Sequence, residues 1–170
     1  GGEYRLKAAI LCFPSRWLLA EKMNRPLTAI HEPVPHYDEV VAARVNRLFE
    51  GIRPDRALVR CNWLVHGDPE LFRPTGRGDK LGGTVDREEP PAKGLYLRTE
   101  RQTMVRLPDT QAVVFGIKTS VTPVDCLEPE AAHALVGAMA GLGQDTLAYS
   151  ERGTVFAAAM QALDAKAAEG

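Results

Sequence analysis

The chain has 170 residues, of which 45% are hydrophobic and 25% charged, and its net charge at pH 7 is -1. This length and composition are typical of one soluble globular domain over residues 1–170. The near-zero charge gives no reason to expect nucleic acid or an anionic membrane as a partner, and no apolar run is long enough to span a bilayer. We therefore expect no nucleic acid and no membrane among the partners.

Cysteine usage predicts a reducing compartment. The chain has three cysteines, Cys12, Cys61 and Cys126, and none of them is part of a CxxC pair. A zinc site or an iron–sulfur cluster made from these cysteines is therefore not expected. Cys12 and Cys61 lie in apolar runs, which predicts buried free thiols. Together these features predict a cytoplasmic protein.

The N-terminal part of the chain predicts a strand, two helices and a proline-rich connector. Residues 4–13 become continuously apolar, which predicts a strand with a buried end. Ser15 is suited to cap a short helix over residues 17–23, and residues 27–36 form a connector restricted by prolines. Apolar residues at helical spacing then predict an amphipathic helix over residues 38–50.

The rest of the chain alternates strands and helices. Residues 56–65 predict a strand whose core face carries Trp63, and a long polar loop follows over residues 67–93. Two apolar runs separated by a short turn at Pro108 predict an antiparallel hairpin. The hairpin strands and two later helices are predicted at residues 95–107, 111–121, 127–142 and 154–168. This order predicts an α+β fold with helices packed on one face of an antiparallel sheet.

One histidine lies in the proline-restricted connector. In the run of residues 30–35 (IHEPVP), two prolines restrict the backbone just after His31. A histidine at a rigid corner suits axial ligation of a metal or a haem, where one ring nitrogen must point at a fixed place. The same pattern fits a histidine that only hydrogen-bonds the corner together, and spacing alone leaves both interpretations open.

Charged side chains occur in the middle of the predicted strand 95–107, on both of its faces. Alternation places Arg98 and Glu100 on one face and Arg101 on the other. If one side of the strand is covered by protein, a charged side chain on that side needs a polar partner. A pocket lined with polar groups would supply that partner. A solvated face is the other interpretation of this pattern.

The common catalytic motifs do not identify the chemistry of this chain. It contains no nucleotide-binding, hydrolase or calcium-binding motif, and no two histidines have zinc-site spacing. His36, His66 and His133 are expected at a helix start, in a turn and on a helix surface.

Six short segments are informative when they are taken together. They are Leu11–Trp17 (LCFPSRW), Pro26–Pro35 (PLTAIHEPVP), Asn46-Arg47, Asn62-Trp63, Leu97–Thr103 (LRTERQT) and Phe115–Thr119 (FGIKT). Their order and spacing, over roughly residues 3–125, resemble the haem-dependent oxidative N-demethylase family, which includes the alpha subunit of dimethylamine monooxygenase.

The resemblance implies a PAS-like fold that holds haem b between its sheet and the flanking helices. It implies NADPH-linked oxidation of dimethylamine by O2 to methylamine and formaldehyde. It also implies reductase and electron-transfer partner subunits that carry FMN and a 2Fe-2S cluster. A PAS sheet has five strands, the chain predicts four, and family members are longer. We therefore expect the fifth strand and part of the haem pocket to lie outside this sequence.

On this resemblance His31 is the proximal ligand that coordinates the haem iron. Trp63 and the strand residues Arg98, Glu100 and Arg101 would face the haem or the substrate. Glu100 would hold the cationic amine by a charge-assisted hydrogen bond, and an arginine would stabilise negative charge on bound oxygen. The haem propionates would pair with basic residues drawn from Arg16, Lys22, Arg44 and Arg47.

The sequence is compatible with functions of three classes. One is a haem monooxygenase that acts on a small methylated amine, and another is a PAS-type haem or ligand sensor without turnover. A haem-free structural subunit is the third. Only an enzyme needs an acid that holds substrate, and Glu100 beside Arg98 and Arg101 favours the enzyme.

Overall fold

The computed structural model describes residues 3–32, 41–74, 94–143 and 153–169. Within these ranges no helix combines the length and the apolar character that crossing a membrane requires. A 3-10 helix, Val124–Cys126, follows the last strand. The other helices are α1 (Leu19–Lys22), α2 (Leu27–His31), α3 (Ala42–Gly51), α4 (Pro129–Ala140) and α5 (Gly153–Ala167), and the strands are β1 (Leu58–His66), β2 (Tyr96–Arg106) and β3 (Val113–Pro123).

The strands form one antiparallel sheet in the order β1-β2-β3. This sheet and the helices confirm the predicted α+β class. A tight turn joins β2 to β3, and in it the Leu107 N–H donates to the Ala112 carbonyl at 2.8 Å. The predicted hairpin is therefore confirmed. The described residues form three strands where four were predicted, and the PAS-like fold stays a prediction.

The chain divides into two compact units, and each of the three strands contributes residues to both. The first unit comprises Gly1–Asn62, Phe72–Thr75 and Glu100–Thr119. The second comprises Trp63–Leu71, Gly76–Thr99 and Ser120–Gly170. The single domain expected over residues 1–170 stays a prediction.

The second unit contains a hydrophobic core in which α4 and α5 pack with the strands. Met139 of α4, Leu163 of α5 and Val65 of β1 are buried together, and Trp63 packs against them. Both helices lie close to their predicted ranges. In α4, residues that start and stop helices mark the two ends. Pro129 begins α4 without losing an intrahelical hydrogen bond, and Gly141 follows its last residue.

In the first unit, Arg106 of β2 holds the C-terminal end of α3. Its guanidinium group donates to the carbonyl oxygens of Phe49 at 2.5 Å and Ile52 at 2.7 Å. It also donates to the Tyr4 hydroxyl at 3.1 Å, and the Tyr4 ring contacts the Phe49 ring at a centroid distance of 5.1 Å. Arg106 thus adds a donor to the Phe49 carbonyl, which also accepts the Ile52 N–H at 3.3 Å, and it links the N-terminal segment to α3 and β2.

The predicted strand over residues 4–13 is wrong. The segment makes one isolated bridge, between Arg5 and Pro26, and Ile10 is 94% exposed. An apolar run becomes a strand only if another strand pairs with it, and in the described part of the chain this run has no such neighbour. Cys12, which was expected to be a buried thiol, is accordingly exposed.

The helix predicted over residues 17–23 is shorter than expected. It is reduced to α1, and its N-cap is Leu18 rather than Ser15. Ser15 instead forms a bridge with Arg73, which also explains why it does not cap a helix.

The predicted core face of the first sheet strand is confirmed only at its C-terminal end. Val65 is buried, whereas Val59 is 48% exposed and Cys61 is an exposed thiol rather than a buried one. The buried half belongs to the second unit, where α4 and α5 cover the strand. The predictions for residues 33–40 and 75–93, which include His36 and most of the polar loop, lie outside the described residues.

Candidate functional site

His31 is the last residue of the helix α2, so the connector predicted over residues 27–36 is wrong for residues 27–31. Pro26, in an extended conformation, precedes the helix, and its carbonyl accepts the Ile30 N–H at 3.0 Å. The carboxylate of Glu3 accepts the Thr28 N–H at 2.7 Å and so satisfies a backbone donor in the first turn. The N-terminal segment therefore fixes a short helix that would be unstable alone.

The ring of His31 is oriented by its own helix. Its Nδ1 atom lies 2.8 Å from the carbonyl oxygen of Leu27. A carbonyl only accepts, so Nδ1 donates, and in the neutral ring the lone pair is then on Nε2. The ring is half-buried, and this burial is the main reason why the pKa of His31 lies below the ordinary 6.5. The lowered pKa favours the neutral imidazole of His31, and the contact with Leu27 defines its tautomer.

Two cations act on this imidazole. The positive charges of Lys22 and Arg60 both lower the pKa of His31, in addition to the effect of burial, while the hydrogen bond to Leu27 opposes the shift. The Lys22 ammonium lies 4.4 Å from the centroid of the Trp17 ring. The surroundings of His31 therefore carry positive charge from two different elements of the first unit, α1 and β1.

A polar chain runs from Arg60 to Glu100 in the same unit. The Arg60 Nε–H donates to Gln102 Oε1 at 2.5 Å, and Gln102 Nε2 donates to Glu100 Oε2 at 3.3 Å. Gln102 is buried, so both ends of its amide are used by charged neighbours. The amide lies between a cation and a carboxylate and keeps the two charged groups apart.

Arg60 and Gln102 belong to no motif in the sequence that would assign them a role. A signal existed, because alternation puts Arg60 on the face of its strand opposite Trp63, and Gln102 on the same face as Glu100. The pairing of the two faces depends on strand register, which the sequence pattern did not supply.

The other predicted residues of the first unit lie in different surroundings. Arg16 has a φ of 63° and its backbone N–H donates to the Arg73 carbonyl at 2.6 Å. Arg47 is exposed on α3. Arg101 is also exposed, with Nη1 3.5 Å from the Thr103 hydroxyl. Two of the predicted site residues, His31 and Glu100, are related through Arg60. The charge of Arg60 lowers the pKa of His31, and Gln102 joins Arg60 to Glu100 by hydrogen bonds.

Two predicted site residues, Arg98 and Trp63, belong to the second unit. Arg98 is only 2% exposed, and its Nη1 donates to the Leu71 carbonyl at 3.1 Å. Trp63 packs against the hydrophobic core, which accounts for its position without a cofactor. His66, expected in a turn, ends β1 and is 1% exposed, and its Nδ1 accepts the Asp68 N–H at 3.3 Å.

The chemistry that this geometry allows is narrow. In the ranges that the structure describes, no group of three or more His, Cys, Asp or Glu side chains is arranged to hold a metal ion. One oriented neutral histidine is nevertheless what an axial haem site needs, because the porphyrin supplies the four equatorial nitrogens. The positive charge that lowers the pKa of His31 suits an anionic group, and Glu100 suits a cationic one.

The sequence matches the model of a protein family over most of its length. Residues 1–159 match the model of a family described as haem-dependent oxidative N-demethylase, alpha subunit-like. This range extends beyond residues 3–125, where the resemblance was recognised, and into α5. The match covers far more than half of the chain, so the chain belongs to this family.

Proposed function

We propose that this member of the haem-dependent oxidative N-demethylase alpha subunit-like family binds haem b through His31 and removes a methyl group from a small secondary amine. The proposed substrate is dimethylamine, which O2 and NADPH convert to methylamine and formaldehyde. One oxygen atom enters formaldehyde, the other leaves as water, and NADPH supplies two electrons. Family membership supports haem dependence and oxidoreductase chemistry, while the substrate and the electron route are our proposal.

The state of the His31 ring is the observation that supports this proposal best. An iron ligand must present a lone pair, so a protonated imidazole does not bind. Donation from Nδ1 to the Leu27 carbonyl at 2.8 Å and a lowered pKa both favour the neutral ring with its lone pair on Nε2. A backbone carbonyl bonded to the other ring nitrogen is a common support for a metal-ligating histidine. The residues present therefore fit a haem with one histidine ligand.

Bound haem would supply activation of O2, and the residues of this chain would bind and orient the amine. A secondary amine is cationic at neutral pH, and we propose that the Glu100 carboxylate accepts its N–H bonds. Gln102 would keep Glu100 in place through the 3.3 Å hydrogen bond, and it would separate the carboxylate from Arg60. Arg98 and Arg101 as stabilisers of charge on oxygen, and Trp63, Arg16 and Arg47 as cofactor contacts, stay predictions from the sequence.

The family description also implies an enzyme of several subunits. We propose that partner subunits with FMN and a 2Fe-2S cluster deliver the electrons from NADPH, because this chain carries no nucleotide-binding motif. A cytoplasmic location, where NADPH and reduced thiols are available, is part of the same proposal.

Hemin titration tests the proposal, with formaldehyde release as the second readout. The wild type and a His133→Ala control, which changes an exposed histidine of α4, are expected to give the same sharp Soret band. His31→Ala should weaken binding and shift the band, while far-UV circular dichroism shows that the variant is folded.

Formaldehyde release from dimethylamine, with O2 and a reductant, should accompany hemin binding. Hemin binding through His31 without formaldehyde would instead support a PAS-type sensor. No specific hemin binding by the wild type would contradict both and leave a structural role.

A further inference from the structure

One peptide group links the carboxylate of Glu3 to the ring of His31. The carbonyl of this group belongs to Leu27 and its N–H belongs to Thr28, because a peptide unit joins consecutive residues. The N–H donates to Glu3 Oε1 at 2.7 Å, and the carbonyl oxygen accepts the proton of His31 Nδ1 at 2.8 Å. A carboxylate and an imidazole are therefore hydrogen-bonded to opposite ends of the same planar group.

The N-terminal segment holds this peptide group in place. The Leu27 N–H donates to the Tyr4 carbonyl at 3.0 Å, and Arg5 forms an antiparallel bridge with Pro26. Glu3 comes directly before these paired residues, so its side chain is held at the start of α2. All of these residues belong to the first compact unit.

The negative charge of Glu3 strengthens this chain of hydrogen bonds. A charged acceptor polarises the peptide group, and the carbonyl oxygen at the other end then becomes a stronger acceptor. Hydrogen bonds with the side chain and the backbone of Thr28 lower the pKa of Glu3 below 4.5, so the carboxylate is ionised at neutral pH. A stronger acceptor for the Nδ1 proton of His31 raises the basicity of the other ring nitrogen, Nε2.

We propose that Glu3 is a positioning residue that strengthens the bond between His31 and the haem iron through the Leu27–Thr28 peptide group. The inference rests on the proposed function, in which Nε2 of His31 is the iron ligand. Hydrogen bonds to an axial histidine are one of the means by which a protein sets the reduction potential of a haem. A more basic ligand favours ferric over ferrous iron, so the charge of Glu3 lowers this potential.

Glu3→Gln separates the charge of this side chain from its shape. The amide oxygen of glutamine still accepts the Thr28 N–H, but it carries no net charge. Resonance Raman spectroscopy of the hemin-loaded, reduced protein measures the iron–histidine stretching band, and a redox titration measures the midpoint potential. We expect the band to move to lower frequency. The preference for ferric over ferrous haem should fall about threefold, which raises the potential of a one-electron couple by ~28 mV.

Three further variants isolate the path of the effect. Glu32→Gln removes a carboxylate that is adjacent to His31 in sequence and lies 3.7 Å from the Arg25 guanidinium group. Thr28→Val removes the hydroxyl of Thr28 and keeps the backbone N–H of the linking peptide group. Both variants should leave the band at its wild-type frequency. Glu3→Asp keeps the charge on a shorter side chain, so its band should lie between those of the wild type and Glu3→Gln.

The outcomes distinguish this inference from the proposed function. A wild-type band and potential in Glu3→Gln would overturn the inference and leave His31 as the ligand, even if urea unfolding showed a loss of stability. An equal shift in Glu32→Gln would also overturn it, because the charge would then act through space rather than through the peptide group. A wild type without an iron–histidine band, or the same band in His31→Ala, would overturn the inference together with the proposed function.

Discussion

His31 Nδ1 lies 2.8 Å from the carbonyl oxygen of Leu27, four residues earlier in the same helix. This single contact fixes which ring nitrogen carries the proton in the neutral ring, and burial lowers the pKa of His31, which favours that neutral form. The helix that makes the contact is only five residues long and is held from outside by Glu3. The geometry of the proposed iron ligand therefore depends on the N-terminal segment as well as on the helix itself.

The state of His31 predicts how stability depends on pH. Because the pKa of His31 is lowered in the folded protein, the unfolded chain binds more protons below the ordinary value of 6.5. The free energy of unfolding of the haem-free protein should therefore fall as pH drops below about 6.5, and this contribution should stop changing once pH is below the folded pKa. Urea unfolding at a series of pH values measures this, and His31→Gln should reduce the slope in that window. A slope that the substitution leaves unchanged would assign the effect to other groups.

The carboxylate of Glu3 should stabilise α2, although Glu3 lies far from this helix in sequence. Its hydrogen bonds with Thr28 lower the pKa of Glu3 below 4.5, so its stabilising contribution is present above 4.5 and is lost as pH falls through the lower folded value. Glu3→Gln should weaken hemin binding several-fold, because a neutral amide oxygen accepts the Thr28 N–H less strongly than a carboxylate does, and His31 is then less well placed. Glu50→Gln, on an exposed position of α3, is the control in the Soret titration. Equal Kd values for the two variants would show that Glu3 does not support the site.

A substitution of Glu100 should weaken substrate binding without weakening cofactor binding. Removing its charge with Glu100→Gln should raise the KM for dimethylamine about tenfold or more, since a charge-assisted hydrogen bond is replaced by a neutral one. The Kd for hemin should stay within about twofold of the wild type. Glu130→Gln on α4 provides the matched control. Steady-state assays of formaldehyde release measure the KM. An unchanged KM would show that Glu100 does not bind the substrate.

The hydrogen bonds of Arg106 predict that its loss destabilises the first unit. Arg106→Met removes the side-chain donors to the carbonyls of Ile52 and Phe49. The Phe49 carbonyl then keeps only the 3.3 Å hydrogen bond from the Ile52 N–H among the bonds of the described residues. We expect the free energy of unfolding to fall by about 3 kcal/mol, as for the loss of several bonds to a charged donor. Arg106→Lys should recover only part of it, because an ammonium cannot reproduce the planar fork. Exposed Arg101, replaced by Met, should change stability by less than about 0.5 kcal/mol in the same urea titration. Equal losses at the two positions would contradict the role given to Arg106.

The sequence predicted the elements that carry their own local signals. The hairpin has two long apolar runs and a proline-containing turn, and α4 begins at Pro129 and is followed by Gly141. Residues 4–13 carry an equally apolar run, yet they do not form a strand, because strand formation depends on a partner that the run itself does not reveal. Burial of Val65 but not Val59 likewise depends on which helices cover the sheet.

The candidate site was predictable in part. The corner at His31 and the family resemblance together predicted a haem ligand there; the match over residues 1–159 confirms the family, and the role of His31 stays a prediction. The contact with Leu27 was not predictable, because a helix of five residues leaves little periodicity to detect. Arg60 and Gln102 were missed because they meet only once the register of β1 and β2 is known.

Rescue of a glycine variant tests the role of His31 most directly. His31→Gly removes the ring but leaves space in which free imidazole can bind iron, so the hemin-loaded variant should lose the wild-type Soret band and regain it on titration with imidazole. Recovery of the wild-type spectrum, with no effect of imidazole on a His133→Gly control, is the predicted result. A His31→Gly variant whose spectrum already equals that of the wild type, without imidazole, would contradict the assignment of His31 as the haem ligand.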